Sequence, residues 1–107
     1  MKKKLTVFAS GAVRDNQEGK EEYVETISWL ALRRYAQYMT KMAAKYGRGN
    51  WVKGIPIENS ENAAMRHLQK YLANKYQGAK LEPEVDHLSA VIFNIFTLMH
   101  EQERTKK

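Results

Sequence analysis

Residues 86–99 form an almost wholly apolar segment, which constrains the fold more than any other part of the chain. Read as a helix of about 3.6 residues per turn, the segment is apolar on every side, and a helix of that kind is buried. Three polar residues interrupt it: Asp86, His87 and Asn94. Asp86 and Asn94 share one side of this helix with Ala90 and Thr97, and His87 lies beside that row.

These polar residues permit two interpretations. Burying a carboxylate or a carboxamide costs several kcal/mol unless a partner, a metal ion or a ligand satisfies it. Asp86 and His87 are therefore either capping residues of the first turn, with Asn94 as a hydrogen-bonded core amide, or parts of a functional site. The helix alone leaves both interpretations open.

The composition indicates one domain with a modest core. The chain has 107 residues and no cysteine, which excludes disulfides and thiolate metal sites and suits a reducing cytoplasm. The lysine-rich start resembles a signal peptide, but its apolar run is too short and is broken by Thr6. No segment approaches the roughly 18 apolar residues of a membrane span. We therefore predict a cytoplasmic protein without a membrane partner.

The chain carries a net charge of +6, which suits an anionic partner. Five of its 18 basic residues lie in the terminal tails, at Lys2, Lys3, Lys4, Lys106 and Lys107. The remaining excess is small, and a scattered basic surface is usually only solvated. Nucleic acid is therefore not required as a partner, and a phosphorylated small molecule fits the charge equally well.

The periodicity of apolar residues predicts an all-α fold with three main helices. A first helix is expected over residues 21–46, where Gly47 follows it, and a second over 59–76, with Ser60 as its N-cap. A third helix opens at residues 82–84 with a proline in its first turn.

Three regions divide the chain. Residues 1–20 lack helical periodicity and are expected to form an extended arm or short strand followed by a loop. Residues 21–103 form the helical, ligand-binding domain, and residues 104–107 form a basic tail. Two other helices cannot easily cover a third helix that is apolar on every side, so we expect oligomerisation to complete the helical bundle.

The loop of residues 45–54 combines glycines, a tryptophan and basic residues. Glycines let backbone amides approach a ligand, Trp51 could stack on a base, and Lys45, Arg48 and Lys53 could contact phosphates. The alternative is a helix-ending loop whose Trp51 fills the core. The loop lacks the spacing of a Walker phosphate-binding motif.

Acidic residues of the second helix are candidate metal ligands. Glu58 and Glu61 are three residues apart and share a face, as do Asn62 and Arg66. Together with Asp86, such carboxylates could hold Mg²⁺ or Mn²⁺ through oxygen ligands while the ion neutralises a polyphosphate. The alternative is that Glu58 and Glu61 only complement the helix dipole.

Other candidate sites are weaker. Residues 21–25 have the E-E-x-x-E form of divalent-metal pyrophosphatases, but acidic residues are common in a first turn for dipole reasons. A zinc site is not expected, because His67, His87 and His100 share no close ligand spacing. No Ser or Cys lies in a nucleophile motif.

Several short motifs follow one another in an order that covers most of the chain. They are Gly11-Ala12-x-Arg14-Asp15, Lys45-Tyr46-Gly47-x-x-Asn50-Trp51, Arg66-His67-Leu68 and Asp86-His87-Leu88-x-Ala90-x-x-x-Asn94. Over residues 8–103 the chain therefore resembles the phage and bacterial family of the dATP/dGTP diphosphohydrolase N-terminal domain, related to the all-α MazG-type nucleotide pyrophosphatases. The residues before Asp86 are Glu84-Val85, where the family usually has an acidic pair.

The resemblance implies a helical, usually oligomeric domain that binds a purine (deoxy)nucleoside triphosphate with a divalent metal. It implies cleavage between the α- and β-phosphates, in the cytoplasm of the bacterial host if a phage encodes the protein. The residues it carries over are Lys45, Asn50, Trp51, Arg66, His67, Asp86, His87 and Asn94.

Under this hypothesis the chain is a nucleotide pyrophosphohydrolase. Glu61 and Asp86 hold Mg²⁺ or Mn²⁺, which polarises the α,β-bridge and binds the attacking water. His67 or His87 is the base or orients that water.

The remaining candidate residues bind the substrate. Arg66 and Lys45 stabilise charge on the phosphates, Asn94 bonds the sugar or base, and Asn50 and Trp51 complete the binding loop. An alternative is a protein that only binds and sequesters a nucleotide or cyclic nucleotide, as phage counter-defence proteins do, with the same basic and aromatic residues and no metal. Nucleic-acid binding through the basic tails is a weaker third hypothesis.

Overall fold

The computed structural model describes residues 4–106, which begin with a small hairpin. Strand β1 (Leu5–Val7) pairs antiparallel with strand β2 (Val13–Asp15), and Val7 lies opposite Val13. Gly11 closes the turn with a φ of 89°, in the left-handed region that glycine adopts without steric cost. The predicted arm is therefore present and contains a hairpin.

Three helices follow: α1 (Trp29–Tyr46), α2 (Ile57–Tyr76) and α3 (His87–Arg104), with a short 3-10 helix, Asn50–Lys53, between the first two. The prediction of an all-α fold with three main helices is confirmed. No helix in residues 4–106 is long and apolar enough to cross a membrane. The predicted basic tails lie partly outside the described residues, at Lys2, Lys3 and Lys107.

Helix α1 begins later than its apolar periodicity predicts. Ser28 has extended backbone angles, and its side chain accepts a hydrogen bond of 3.1 Å from the backbone N–H of Ala31, which fixes the N-terminus. The predicted start at residue 21 is therefore wrong, and the acidic residues 21–25 precede the helix. The end is as predicted, because Gly47 has a φ of 88° and its N–H bonds to the carbonyl of Ala43.

Helix α2 begins earlier than predicted, at Ile57. Pro56 occupies the N-cap position, and its carbonyl accepts from the N–H groups of Asn59 and Ser60 at 3.0 and 3.3 Å. Ser60 therefore lies inside the helix and is not its cap, as the sequence had suggested. It is 1% exposed, and its hydroxyl has no hydrogen-bond partner among the described residues.

Helix α3 begins at His87 because Asp86 caps it. The Asp86 carboxylate accepts from the backbone N–H of Ser89 at 3.2 Å and from the Ser89 hydroxyl at 2.7 Å. The predicted opening at residues 82–84 is wrong, since those residues belong to the turn before the helix.

Helices α2 and α3 form an antiparallel hairpin. Three contacts fix its register: the Asn74 amide bonds the backbone of Leu81 twice at 2.9 Å, Lys70 pairs with Glu82, and His67 contacts His87. The interface is built from small side chains, which let the two helices approach closely. The buried residues of the two helices are Ser60, Ala64, His87, Ser89, Ala90, Asn94 and Thr97.

Helix α1 packs more loosely against this hairpin. Tyr35 meets Phe96 edge to face with the ring centroids 5.3 Å apart. Arg34 forms an ion pair with Asp86, its Nη2 lying 2.7 Å from Oδ1. These contacts hold α1 beside α3 and leave a cavity between α1 and the hairpin.

Replacing Asp86 tests the cap and the ion pair separately. Asp86→Ala removes both, and we expect the free energy of unfolding to fall by about 1–3 kcal/mol. Asp86→Asn preserves a capping side chain and loses only the charge, so we expect a loss of roughly 1 kcal/mol or less. Urea unfolding followed by circular dichroism measures both. An equal loss of free energy of unfolding in Asp86→Ala and Asp86→Asn would contradict the capping role of Asp86.

Candidate functional site

A cavity of about 790 Å³ lies between α1 and the α2–α3 hairpin and opens to solvent. It brings five of the predicted site residues together: Lys45, Asn50, His67, Asp86 and Asn94. Further polar residues that the sequence analysis did not single out complete the lining. They are Arg34, Gln37, Tyr38, Lys41, Glu82 and Glu84.

Helix α1 supplies a row of basic side chains to this cavity. Arg34, Lys41 and Lys45 are seven and four residues apart, so they share one face of the helix. Within residues 4–106 neither lysine forms an ion pair, and the ammonium of Lys45 lies 5.0 Å from the ring centroid of Tyr46. The same spacing in the sequence was the signal that could have identified Arg34 and Lys41.

Asp86 is held by an arginine from α1. Arg34 Nε donates to Oδ2 at 2.8 Å and Arg34 Nη2 donates to Oδ1 at 2.7 Å, while Ser89 donates to both oxygens. These bonds, those of Arg34 first, lower the pKa of Asp86 to about 2 against the opposing effect of its burial. The same pair raises the pKa of Arg34.

Two histidines, His67 of α2 and His87 of α3, contact each other, and His67 lines the cavity. The Nδ1 atoms of His67 and His87 are 2.9 Å apart, and Nε2 of His87 lies 3.1 Å from the carbonyl oxygen of Leu81 and 3.0 Å from that of Glu82. Carbonyl oxygens only accept, so Nε2 of His87 carries the proton. With both rings neutral, Nδ1 of His87 then accepts from Nδ1–H of His67, and the lone pair of His67 lies on Nε2.

His67 is the ring of this pair that lines the cavity. Burial lowers its pKa, and the neighbouring His87 lowers it further. The ring is therefore neutral at pH 7, and its Nε2 is able to accept a proton or a hydrogen bond from a ligand. His87 is 5% exposed and does not line the cavity, so in this arrangement it orients His67.

Three other predicted site residues lie outside the cavity lining: Glu61, Arg66 and Trp51. Glu61 and Arg66 are exposed on α2. Trp51 is partly buried in the 3-10 helix and meets His100 edge to face at a centroid distance of 4.8 Å. It borders two neighbouring cavities, one of which shares Asn50 with the main cavity.

Asn94 satisfies part of its hydrogen bonding internally. It is 7% exposed, and its Nδ2 donates to the carbonyl of Ala90 at 2.8 Å. Asn94 therefore fits both interpretations of the sequence, because it is a hydrogen-bonded core amide and it also lines the candidate functional cavity. The bond through Nδ2 leaves the carboxamide oxygen as the group that can accept from a ligand.

The described residues do not fit a divalent metal ion at Asp86. Its two oxygens accept four hydrogen bonds, from Arg34 and Ser89, and a metal ion would have to displace them. In residues 4–106 no group of three His, Asp or Glu side chains is placed to hold an ion. A metal site at Glu61 and Asp86 therefore stays a prediction.

The family model described as dATP/dGTP diphosphohydrolase, N-terminal, matches residues 10–107, which include all three helices and every residue of the cavity. The chain belongs to this family. The motifs that carried the resemblance thus identified the family correctly. Among curated proteins and solved structures, none matches the chain.

The lowered pKa of His67 predicts a pH dependence of stability. As the pH falls through about 6.5, the ordinary value, the unfolded chain binds a proton that the folded ring resists. We expect the free energy of unfolding to fall between pH 7.5 and 5.5, and His67→Gln to flatten this slope. Asp86 does not interfere, because its effect lies below about pH 4. A His67→Gln protein with the wild-type slope in urea unfolding would contradict this assignment.

Proposed function

We propose that the chain binds a purine deoxynucleoside triphosphate in the cavity between α1 and the α2–α3 hairpin and hydrolyses it to the monophosphate and pyrophosphate. One observation carries the proposal: two lysines that form no ion pair within residues 4–106 and a neutral imidazole line a single cavity of about 790 Å³. That volume lies within the usual range for small-molecule sites. The family name, which refers to dATP and dGTP, supports the choice of substrate.

Lys41 and Lys45 are the proposed polyphosphate ligands. One helical turn separates them, with about 5–6 Å between their Cβ atoms, so both flexible ammonium groups can reach one polyphosphate chain. Arg34 does not share this role, because Asp86 engages its guanidinium. Lys41 thus joins the predicted Lys45, while Arg66, exposed and outside the cavity, stays a prediction.

His67 is the proposed general base. Its Nε2 accepts a proton from a water molecule that attacks the α-phosphorus, and the bond from that phosphorus to the α,β-bridging oxygen breaks. Pyrophosphate leaves with the bridging oxygen, while the two lysines stabilise the charge that develops on the phosphates. Asn50 and Asn94 are the proposed contacts to the sugar or base.

The family resemblance implies Mg²⁺ or Mn²⁺, which would supply charge neutralisation of the phosphates. Because the described residues do not fit an ion at Asp86, no step of the proposed reaction is assigned to the metal. A homo-oligomer of MazG-like type in the cytoplasm of a bacterial host remains part of the proposal on the resemblance alone.

Binding without hydrolysis is the second candidate function. The observation that favours it is that Arg34 and Ser89 occupy the oxygens of Asp86, and in residues 4–106 no group of three His, Asp or Glu side chains is placed to hold a metal ion. A sequestering protein needs only the lysines, the amides and an aromatic surface such as Trp51, and these attract a nucleotide whatever its fate.

Incubation with single nucleoside triphosphates separates the two functions. Each common ribo- and deoxynucleotide is incubated with the chain in Mg²⁺, in Mn²⁺ and in EDTA, and the products are separated by chromatography. We expect dATP and dGTP to give monophosphate and pyrophosphate, and His67→Gln to lower turnover by about 100-fold or more, as for loss of a general base. Recovery of intact nucleotides bound to the protein would contradict hydrolysis and support sequestration.

Matched lysine variants test the binding site itself. Lys41→Ala and Lys45→Ala each remove a charge-assisted contact, and we expect each to weaken nucleotide binding roughly tenfold or more by calorimetry. Lys80 is exposed in the loop before α3, so Lys80→Ala is the control and should bind the nucleotide as tightly as the wild type does. Equal affinity in all four proteins would exclude this cavity as the phosphate site.

A further inference from the structure

Asn74, near the end of α2, holds the turn that precedes α3. Its Nδ2 donates to the carbonyl oxygen of Leu81, and its Oδ1 accepts from the backbone N–H of Leu81, both at 2.9 Å. Because one carboxamide both donates to and accepts from the same residue, it fixes the position and the orientation of the backbone there. Asn74 does not line the proposed nucleotide cavity, so any effect on the chemistry has to pass through other residues.

The turn that Asn74 holds is strained at Glu82. This residue has a φ of 42°, in the left-handed region that residues other than glycine rarely adopt. Such a conformation persists where surrounding contacts hold it, and here Asn74 holds the preceding residue while Lys70 pairs with the Glu82 side chain. Two successive carbonyl oxygens, those of Leu81 and Glu82, thereby lie 3.1 and 3.0 Å from Nε2 of His87.

These two carbonyls decide which nitrogen of His87 carries the proton, and His87 then decides the same for His67. With Nε2 of His87 donating, its Nδ1 holds the lone pair that accepts from Nδ1–H of His67 across 2.9 Å. In water a neutral histidine favours the proton on Nε2. His67 is therefore held in its less favoured tautomer, the one that leaves Nε2 free to accept a proton.

We propose that Asn74 is a positioning residue that sets the tautomer of His67. It keeps the two carbonyl oxygens in place, these keep the proton of His87 on Nε2, and His87 keeps the lone pair of His67 on Nε2. Asn74 thus acts on the cavity without contacting a ligand. Its effect on turnover rests on the proposed function, in which His67 is the general base, whereas its effect on the tautomer does not.

The tautomers are measured directly in the wild type. An NMR correlation spectrum between the ring nitrogens and the carbon-bound ring protons distinguishes a protonated nitrogen from an unprotonated one. It is recorded at about pH 8, above the ordinary pKa of histidine, and His67→Gln and His100→Gln assign the signals. We expect the proton on Nδ1 of His67 and on Nε2 of His87. A His67 ring with its proton on Nε2 overturns the proposal.

Matched asparagine variants test the role of Asn74. Asn74→Ala removes both bonds to Leu81, and we expect the proton of His67 to move in part to Nε2 while the helical circular dichroism is retained. Asn59→Ala makes the same substitution at an exposed position of α2 and should keep the wild-type tautomers. A folded Asn74→Ala protein with wild-type tautomers overturns the proposal.

A more conservative variant decides the question if Asn74→Ala does not fold. Asn74→Asp keeps an acceptor for the N–H of Leu81 and loses only the donor to its carbonyl oxygen. We expect the same change of tautomer to a smaller extent, and an unchanged His67 spectrum in this variant then overturns the proposal.

Turnover provides a separate measurement. We expect kcat for dATP to fall about tenfold in Asn74→Ala, a part of the loss in His67→Gln, with KM little changed because a general base acts in the transition state. A rise in KM at unchanged kcat would overturn the positioning role. A wild type that hydrolyses no nucleotide would contradict the proposed function, and the tautomer measurements would still decide the role of Asn74.

Discussion

The carboxylate of Asp86 is the group that joins helix α1 to the start of α3. It caps α3 through Ser89 and binds the guanidinium of Arg34 on α1 with both oxygens. The same interface also contains an aromatic pair, Tyr35 edge to face against Phe96. Since Lys41 and Lys45 stand on the same face of α1 as Arg34, the ion pair also sets where these lysines lie relative to the hairpin.

The same interaction shapes the chemistry of the cavity. Arg34 lowers the pKa of Asp86 and occupies its oxygens. A metal ion could bind this carboxylate only by displacing the arginine, so the role of Asp86 here is structural. What the cavity offers instead is positive charge from α1 and a neutral imidazole from α2. Nε2–H of His87 donates to two backbone carbonyls, and Nδ1 of His87 accepts from Nδ1–H of His67. The lone pair of His67 is therefore on Nε2.

The interface between α2 and α3 explains why so little of this chain is buried. Helices joined by alanines, serines, an asparagine and a threonine approach closely but remove little apolar area from water. Large apolar side chains are instead exposed on α3, at the start of α1 and on the β1–β2 hairpin. A chain built in this way gains apolar burial in the homo-oligomer proposed above.

The sequence by itself determined the three helices, their order and the family, because apolar periodicity and short motifs are local properties. It also indicated Asp86, His87 and Asn94, since polar residues set into an apolar helix demand partners, and the family resemblance indicated His67. Capping contacts decided where each helix starts: Ser28 and Asp86 shorten α1 and α3, and Pro56 starts α2 before Ser60. Only the tertiary structure paired Arg34 with Asp86, 52 residues apart, and placed Lys41 in the cavity. The reason is that no local sequence pattern determines how α1 packs against α3.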